Sequence, residues 1–273
     1  MRYDHLTRYT DADFKRLVGV IRKLFDLMIE ILTQAEQQKK KSGRPHSLSL
    51  ADQLLLTLNY LRCYKTQIQL SAGFNLSESN VNRTIRKVEN ALIQSGQFSL
   101  PKRTHRGVNP DENVVAIDVT ECLIERPKKK QSRYYSGKKK RHSLKIQVIY
   151  HLALKQIMSI GIGRGRQHDV SLARQSMGDV SRYHYILADL AYQGLDGLSH
   201  KVLTPLKKLR KKKLPAFAKQ INREISRRRI IIEHINCKLK CFRILSEPYR
   251  NRRKRFGLRA NLIAGIINWL NIN

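Results

Sequence analysis

Apolar positions divide the chain into three regimes. From Thr10 to about Gln34, Phe14, Val18, Ile21, Phe25, Met28 and Leu32 recur at alternating steps of four and three. This spacing predicts one helix with a heptad-like stripe along a single face. Thr10 and Asp13 have the form of a capping box in which Asp replaces the usual Glu. The stripe suits packing against the chain's own interior or, as the alternative, a contact with a second copy. The basic stretch Gln38-Lys39-Lys40-Lys41-Ser42-Gly43-Arg44-Pro45 then breaks the pattern and reads as an exposed linker.

The second regime predicts three short helices over Leu50–Arg62, Thr66–Phe74 and Ser79–Ile93. In the last of them Val81, Ile85, Val88 and Leu92 share a face, and Asn80, Asn82, Arg83, Arg86 and Lys87 fall outside it. Asn75 tolerates the left-handed conformation a sharp interhelical turn needs, and Ser77 or Ser79 can cap the third helix. This is a helix-turn-helix pattern, whose second helix enters the major groove. Asn reads adenine, and Arg reads guanine or holds phosphate. An ordinary solvated helix face is the bland alternative.

A second linker is expected over 96–112, with Gly96, Pro101, Gly107 and Pro110. Beyond it the period changes from helical to alternating. Strands are predicted over Val114–Ile124, Ser143–Leu152, Gln156–Ile162, Tyr183–Ala188 and Lys201–Thr204. Helices are predicted over His168–Val180, from about Pro215 to Leu245, and over Arg259–Leu270, the last amphipathic and docked on the core. The layout is α/β, a sheet covered by helices, preceded by an all-α region. The resulting division is 1–45 for the N-terminal helix and basic linker, 46–95 for the helix-turn-helix, 96–112 for the linker and 113–273 for the α/β domain.

Charge sharpens this outline. The 273 residues carry 54 Lys and Arg against 21 Asp and Glu, a formal net charge of +33. Such an excess implies a polyanionic partner, nucleic acid or an anionic membrane surface. The longest apolar run, Leu262 to Leu270, is interrupted by Asn268 and closed by Asn271, whereas a span needs roughly 20 apolar residues. Met1 to Arg22 is charged throughout and has no signal-peptide pattern, so the cytoplasm or nucleoid is expected. Four cysteines offer one close pair, Cys237 and Cys241, where a zinc site normally wants two, so reduced thiols are expected.

Three acids stand out against this basic background. Asp118 ends the run Val114-Val115-Ala116-Ile117, Asp189 ends Tyr185-Ile186-Leu187-Ala188, and Glu233 follows Ile230-Ile231-Ile232. Mg²⁺ takes carboxylate and phosphate oxygens, and two ions about 4 Å apart can hold the attacking and leaving oxygens of an in-line displacement. At about 100° per residue, Arg229 and Lys240 lie within about 40° of Glu233, so one helix face offers an acid flanked by cations. Taken singly, each acid has a plainer account: Asp starts turns, and Glu between Arg and Lys forms surface ion-pair ladders. Convergence in space separates the two accounts.

The C-terminal part resembles DDE-type transposases of bacterial insertion sequences, in the group related to insertion sequence five and to Harbinger elements. The resemblance rests on Ile117-Asp118-Val119-Thr120-Glu121, on Leu187-Ala188-Asp189-Leu190-Ala191-Tyr192-Gln193-Gly194, and on Arg229, Glu233 and Lys240 in the spacing Arg-x3-Glu-x6-Lys. Tyr134 to His142 and Gly165 to Asp169 are similar to the same group, and the likeness extends over about residues 46–273. It implies a ribonuclease-H-like catalytic domain with Asp118, Asp189 and Glu233 as catalytic residues and ligands of two Mg²⁺ or Mn²⁺ ions. Arg229 and Lys240 match the family's auxiliary basic positions. Many relatives carry Tyr three residues before the Arg, where this chain has Ser226. His168 and Asp169 match a family motif with no chemical role assigned, and helix-start capping is the structural alternative for His168. The implied activity is binding of terminal inverted repeats in double-stranded DNA, strand cleavage and strand transfer, by a homodimer or larger assembly. A catalytically inactive DNA-binding regulator and a stand-alone nuclease are the alternatives.

Overall fold

The structure, a computed structural model, describes residues 2–39, 46–101, 113–176, 183–195, 201–207 and 213–272. The N-terminal stripe forms two helices, not the single one its spacing predicts: α1 (Asp11–Val18) and α2 (Arg22–Gln37). The break falls at Gly19, whose φ of +93° closes α1 through a backbone hydrogen bond to the Lys15 carbonyl. Thr10 caps α1 by accepting from the Asp13 amide, but the Asp13 carboxylate accepts from the Thr10 hydroxyl instead of reaching the cap amide. Phe14, Val18, Phe25, Met28 and Leu32 are all fully buried in the chain's own core, so this stripe is not free to bind a second copy.

Three helices follow: α3 (Leu50–Cys63), α4 (Gln67–Phe74) and α5 (Glu78–Gln94). Their caps explain their limits. The Ser49 side chain accepts from the Asp52 amide, Thr66 and Gln69 form a complete capping box, and Ser77 accepts from the Asn80 amide. Asn75, at φ +53°, makes the left-handed turn between α4 and α5.

The sheet is built on β1 (Val114–Leu123). It pairs antiparallel with β3 (Arg141–His151), which pairs antiparallel with β4 (Gln156–Arg164) and with the short β2 (Tyr135–Ser136). On its other edge β1 runs parallel to β5 (Tyr185–Leu187), and β5 parallel to β6 (Lys201–Leu203). Two residues of β2 are too few for an alternating pattern to announce. The remaining helices are α6 (Asp169–Gln175), α7 (Ala216–Lys240) and α8 (Phe256–Ile272). Part of the helix expected over His168–Val180 lies outside the described residues. Alternate residues of β1 serve two cores: Ala116 and Cys122 face a large cluster with Ile232, Ile235 and α8, and Val115 and Ile117 face a smaller one with Ala173 and Tyr192.

Helix α8 is apolar nearly all round instead of amphipathic, because it runs through the interior. The Asn268 side-chain oxygen accepts from the Ile157 amide at 2.7 Å, and its NH₂ donates to the Ile157 carbonyl at 2.8 Å, beside the irregularity between β3 and β4. A Cβ on Gly265 would lie 2.0 Å from the Phe98 carbonyl oxygen. Phe98 and Leu100 are buried, so the start of the expected linker is packed. The rest of it, 102–112, and residues 40–45 of the basic stretch lie outside the described residues.

One hydrophobic cluster runs from the helical region into the sheet region. A charged latch joins them as well. Glu89 of α5, fully buried, accepts from Arg259 Nε at 2.6 Å and from Arg255 Nε at 3.0 Å. Arg259 also donates to the Tyr249 hydroxyl at 2.9 Å.

Candidate active site and DNA-facing surface

Asp118 lies midway along β1, on the face that Ala116 and Cys122 turn toward α7 and α8. The parallel register pairs Ala116 with Leu187, and two further extended residues bring Asp189 level with Asp118 on the same face. Here β5 has ended, leaving a crevice at the carboxyl ends of parallel strands, where open α/β sheets bind ligands. The Asp189 carboxylate accepts from the Ala191 amide at 2.8 Å, starting a 3₁₀ turn that buries Tyr192.

Helix α7 closes the crevice from the other side. Asn236 donates to the Asp118 carboxylate at 2.7 Å, and the Arg229 charge acts on the same group. Glu233 lies between them, and positions 229, 233, 236 and 240 fall within about 60° on the helix surface. Burial raises the Asp118 pKa above the ordinary carboxylate value, opposed by the Val119 amide and Arg229, and the charges of Asp189 and Asp169 push it up further. Burial raises the Tyr192 hydroxyl too, reinforced by Asp169, Asp118 and Asp189. Three acids and a phenol therefore share one neighbourhood.

Its polar atoms are incompletely satisfied. Among the described residues, seven buried side-chain N or O atoms lack a hydrogen-bond partner, and three belong to this site: the Tyr192 hydroxyl, Arg229 Nε and Asn236 Oδ1. Such orphans call for an ion, a water or a substrate group. Glu233, in contrast, is exposed. No three His, Cys, Asp or Glu among the described residues are grouped so as to hold a metal ion. The donor set still fits Mg²⁺, which binds through one or two carboxylates and substrate phosphates and keeps several waters. All four cysteines are free.

A cavity of about 700 Å³ is lined by Val119, next to Asp118 in β1, by Asp169 and Lys240, and by Tyr135, Lys138 and Lys139. Lys145, buried, donates to Asp169 at 2.7 Å and to the Gln167 carbonyl at 2.6 Å. Asp169 is thus held as the first residue of α6, while His168 sits at the cap position without a side-chain cap bond. The residue pattern pointed to Tyr192 and Asp169 only through the motifs of the resemblance, and Asn236 is uncharged and stands in none of those motifs as a fixed position.

On α5, Asn80, Arg83 and Arg86 are exposed, and Asn82 and Lys87 are partly buried. Lys87, also expected to face DNA, has partners within the protein. It pairs with Glu36 of α2 and donates to Gln53 Oε1 at 2.9 Å. Burial would raise the Glu36 carboxyl, but Lys39 and Lys87 outweigh it and bring it down to about 2. Arg83 and Asn80 line an adjoining cavity of about 850 Å³ together with His46 and Thr84.

Residues 117–268 match the family described as DDE superfamily endonuclease, and residues 46–98 match the helix-turn-helix of DDE superfamily endonuclease. The chain is 44% identical over 270 residues to the "Probable transposase for insertion sequence element IS702" of Microchaete diplosiphon, covering 98% of each chain. It belongs to the DDE-type insertion-sequence transposases. The matched spans of this transposase contain Asp118, Asp189, Arg229, Glu233 and Lys240 in one and α3 to α5 in the other. DDE superfamily endonucleases generally use divalent metal ions. No helix among the described residues is long and apolar enough to cross a membrane.

Proposed function

We propose that the chain binds terminal inverted repeats of its insertion sequence, cuts the element's ends and joins them to target DNA, using Asp118, Asp189 and Glu233. The observation that carries this is the placement of Asp118 and Asp189, each two residues beyond the paired Ala116 and Leu187, with the polar atoms of Tyr192, Arg229 and Asn236 near them unsatisfied. The strand order β4-β3-β1-β5-β6, with β3 antiparallel to its neighbours, supports a ribonuclease-H-like core.

Asp118 and Asp189 would hold one or two Mg²⁺ or Mn²⁺ ions, and Glu233 would join them when DNA draws α7 inward. Divalent ions there supply positive charge to the attacking and leaving oxygens of an in-line displacement. Asn236 keeps the Asp118 carboxylate turned toward the crevice. Arg229 and Lys240 hold phosphates of the strand being cut. In cleavage, water attacks the phosphorus and the O3′–P bond breaks, releasing a 3′-hydroxyl. In strand transfer that 3′-hydroxyl attacks a target phosphodiester and displaces another 3′-oxygen.

Asn80, Asn82, Arg83 and Arg86 on α5 would read or hold the element's ends, with Lys87 bracing the helix from behind. Two ends must be held together, so a homodimer or larger assembly acts on double-stranded DNA, at the nucleoid.

A strand-cleavage and strand-transfer gel with DNA flanking the gene tests this. The expected result is metal-dependent nicks and joined products from the wild type. Asp118→Asn, Asp189→Asn and Glu233→Gln each lose both while binding ends normally. Near-normal cutting by a variant sinks that residue's assignment. Binding without nicks indicates a regulator, and cuts without joined product indicate a stand-alone nuclease.

A further inference from the structure

The hairpin arm lining the basic cavity carries adjacent tyrosines in unlike settings. The Tyr134 ring lies under the Arg253 guanidinium at 4.5 Å, and its carbonyl accepts from the Ser143 amide at 2.8 Å. Tyr134 is therefore part of the packing. Tyr135, next to it, is 43% exposed, and its ring stands at 75° to that of His142, the centroids 5.7 Å apart. Its neighbour on the two-residue strand, Ser136, is buried, so the strand turns Tyr135 outward.

The arm that presents Tyr135 is held firmly. Glu121 of β1 accepts from the Ser136 hydroxyl at 3.1 Å and from the Ser143 hydroxyl at 2.6 Å. The Lys139 amide donates to the Ser136 oxygen at 3.2 Å. At the base of the arm, Gly165 lies so close that a Cβ there would be 2.4 Å from the Tyr134 carbonyl oxygen. The backbone that carries Tyr135 is thus anchored to β1 and β3. Two cavities meet at it. One, of about 700 Å³, leads back past Lys139 to Lys240 and Asp169. The other, of about 710 Å³, is open and lined by Arg126, His142 and Arg166.

We propose that Tyr135 is a stacking platform for one unpaired base of the DNA strand that runs from the acid crevice along this basic track. Aromatic faces bind bases of any sequence, and flanking cations hold the backbone. The arrangement suits a base that has left its duplex, because a paired base offers no free face to a ring at the protein surface. The inference rests on the DNA-cutting function proposed above and adds a contact with a base, separate from the phosphates and from α5.

Because stacking tolerates any sequence, a generic duplex with and without a short single-stranded fork serves as the probe, titrated with the full chain. The wild type should bind the forked duplex more tightly than the paired one. Tyr135→Ala should lose that preference, weakening forked binding roughly 5- to 150-fold while leaving paired binding unchanged. Tyr135→Phe should retain it, since the ring and not the hydroxyl does the stacking. Thermal melting of each variant checks folding. In parallel, 5-iodouracil in the fork should photo-crosslink to Tyr135.

Unchanged fork preference in Tyr135→Ala, with the catalytic aspartate variants still failing to cut, overturns this inference alone. Loss of preference in Tyr135→Phe equal to that in Tyr135→Ala overturns it as well. A wild type that binds neither duplex overturns the DNA-cutting reading together with this one.

Discussion

Two carboxylates, Glu89 fully buried and Asp118 half-buried, occupy opposite kinds of environment. Glu89 is enclosed between Arg255 and Arg259, both of its oxygens accept guanidinium hydrogens, and Tyr249 takes up a further donor of Arg259. Asp118 has one side-chain donor, Asn236, and feels two other carboxylates as well as Arg229. Around it a phenol, a guanidinium nitrogen and an amide oxygen lack partners. The first arrangement is complete in the protein alone and joins α5 to α8. The second becomes complete only with something added. Buried charge that is fully paired holds the fold together, whereas charge left incompletely paired is a candidate for binding or chemistry.

Substitution at each site separates the two environments. Asp118→Asn and Asp189→Asn should cut strand cleavage by at least about 10³-fold, roughly 4 kcal/mol of barrier, as read by initial rates on labelled ends. Stability should move the other way. A carboxyl whose folded pKa is raised contributes stability at low pH that is lost as pH rises through that value. The charged form of Asp118 therefore costs stability at neutral pH. Asp118→Asn should melt higher than the wild type at pH 7, with the gap closing as pH falls toward the ordinary carboxylate range. A lower melting temperature at pH 7 would mean that Asp118 is structural.

Glu89→Ala should do the reverse. Removing one partner of a buried ion pair costs about 3–5 kcal/mol, a fall in Tm on the order of 10 °C. The folded fraction should still cut DNA. A change under about 1 kcal/mol would show that the latch contributes little.

Much of this architecture was legible in the chain. The helix-turn-helix was, because its signals are local: Asn75 at the turn, Ser77 at the cap and an apolar stripe on α5. The strands carrying Asp118 and Asp189 were legible as apolar runs closed by an acid. The break at Gly19 was hidden because the apolar spacing continues straight across it. Pairing over long distances was invisible. Glu36 on α2 and Arg259 on α8 are far along the chain from Lys87 and Glu89, so α5 could be given a face but not its partners. Convergence of Asp118 and Asp189 came only with the parallel register, and the exposure of Glu233 could not be read from a helical wheel at all.

Smaller effects divide α5 itself. Arg83→Ala should weaken end-binding by about 1–3 kcal/mol if Arg83 reads a base, or lower the salt slope by about 1 if it holds a phosphate. Titrations between about 50 and 200 mM salt distinguish these, and wild-type affinity should fall by orders of magnitude over that range. Lys87→Met should chiefly lower stability, because it strands Glu36. If it weakens binding as much as Arg83→Ala does, Lys87 reaches DNA despite its internal partners. The smallest effect belongs to Glu36, whose depressed carboxyl contributes stability that is present above its ordinary value of 4.5 and lost as pH falls toward about 2. Glu36→Gln should lower stability at pH 7 by at most about 1 kcal/mol, with the difference from wild type vanishing across that acid window.

The central claim is that the unbalanced pair Asp118 and Asp189 is completed by a divalent cation. Mn²⁺ titration of the full chain, followed by electron paramagnetic resonance with a DNA duplex present, tests this most directly. The expected result is ion uptake by the wild type that is lost in Asp118→Asn and in Asp189→Asn while both variants still bind the duplex. Undiminished Mn²⁺ uptake by the protein carrying both substitutions would contradict it.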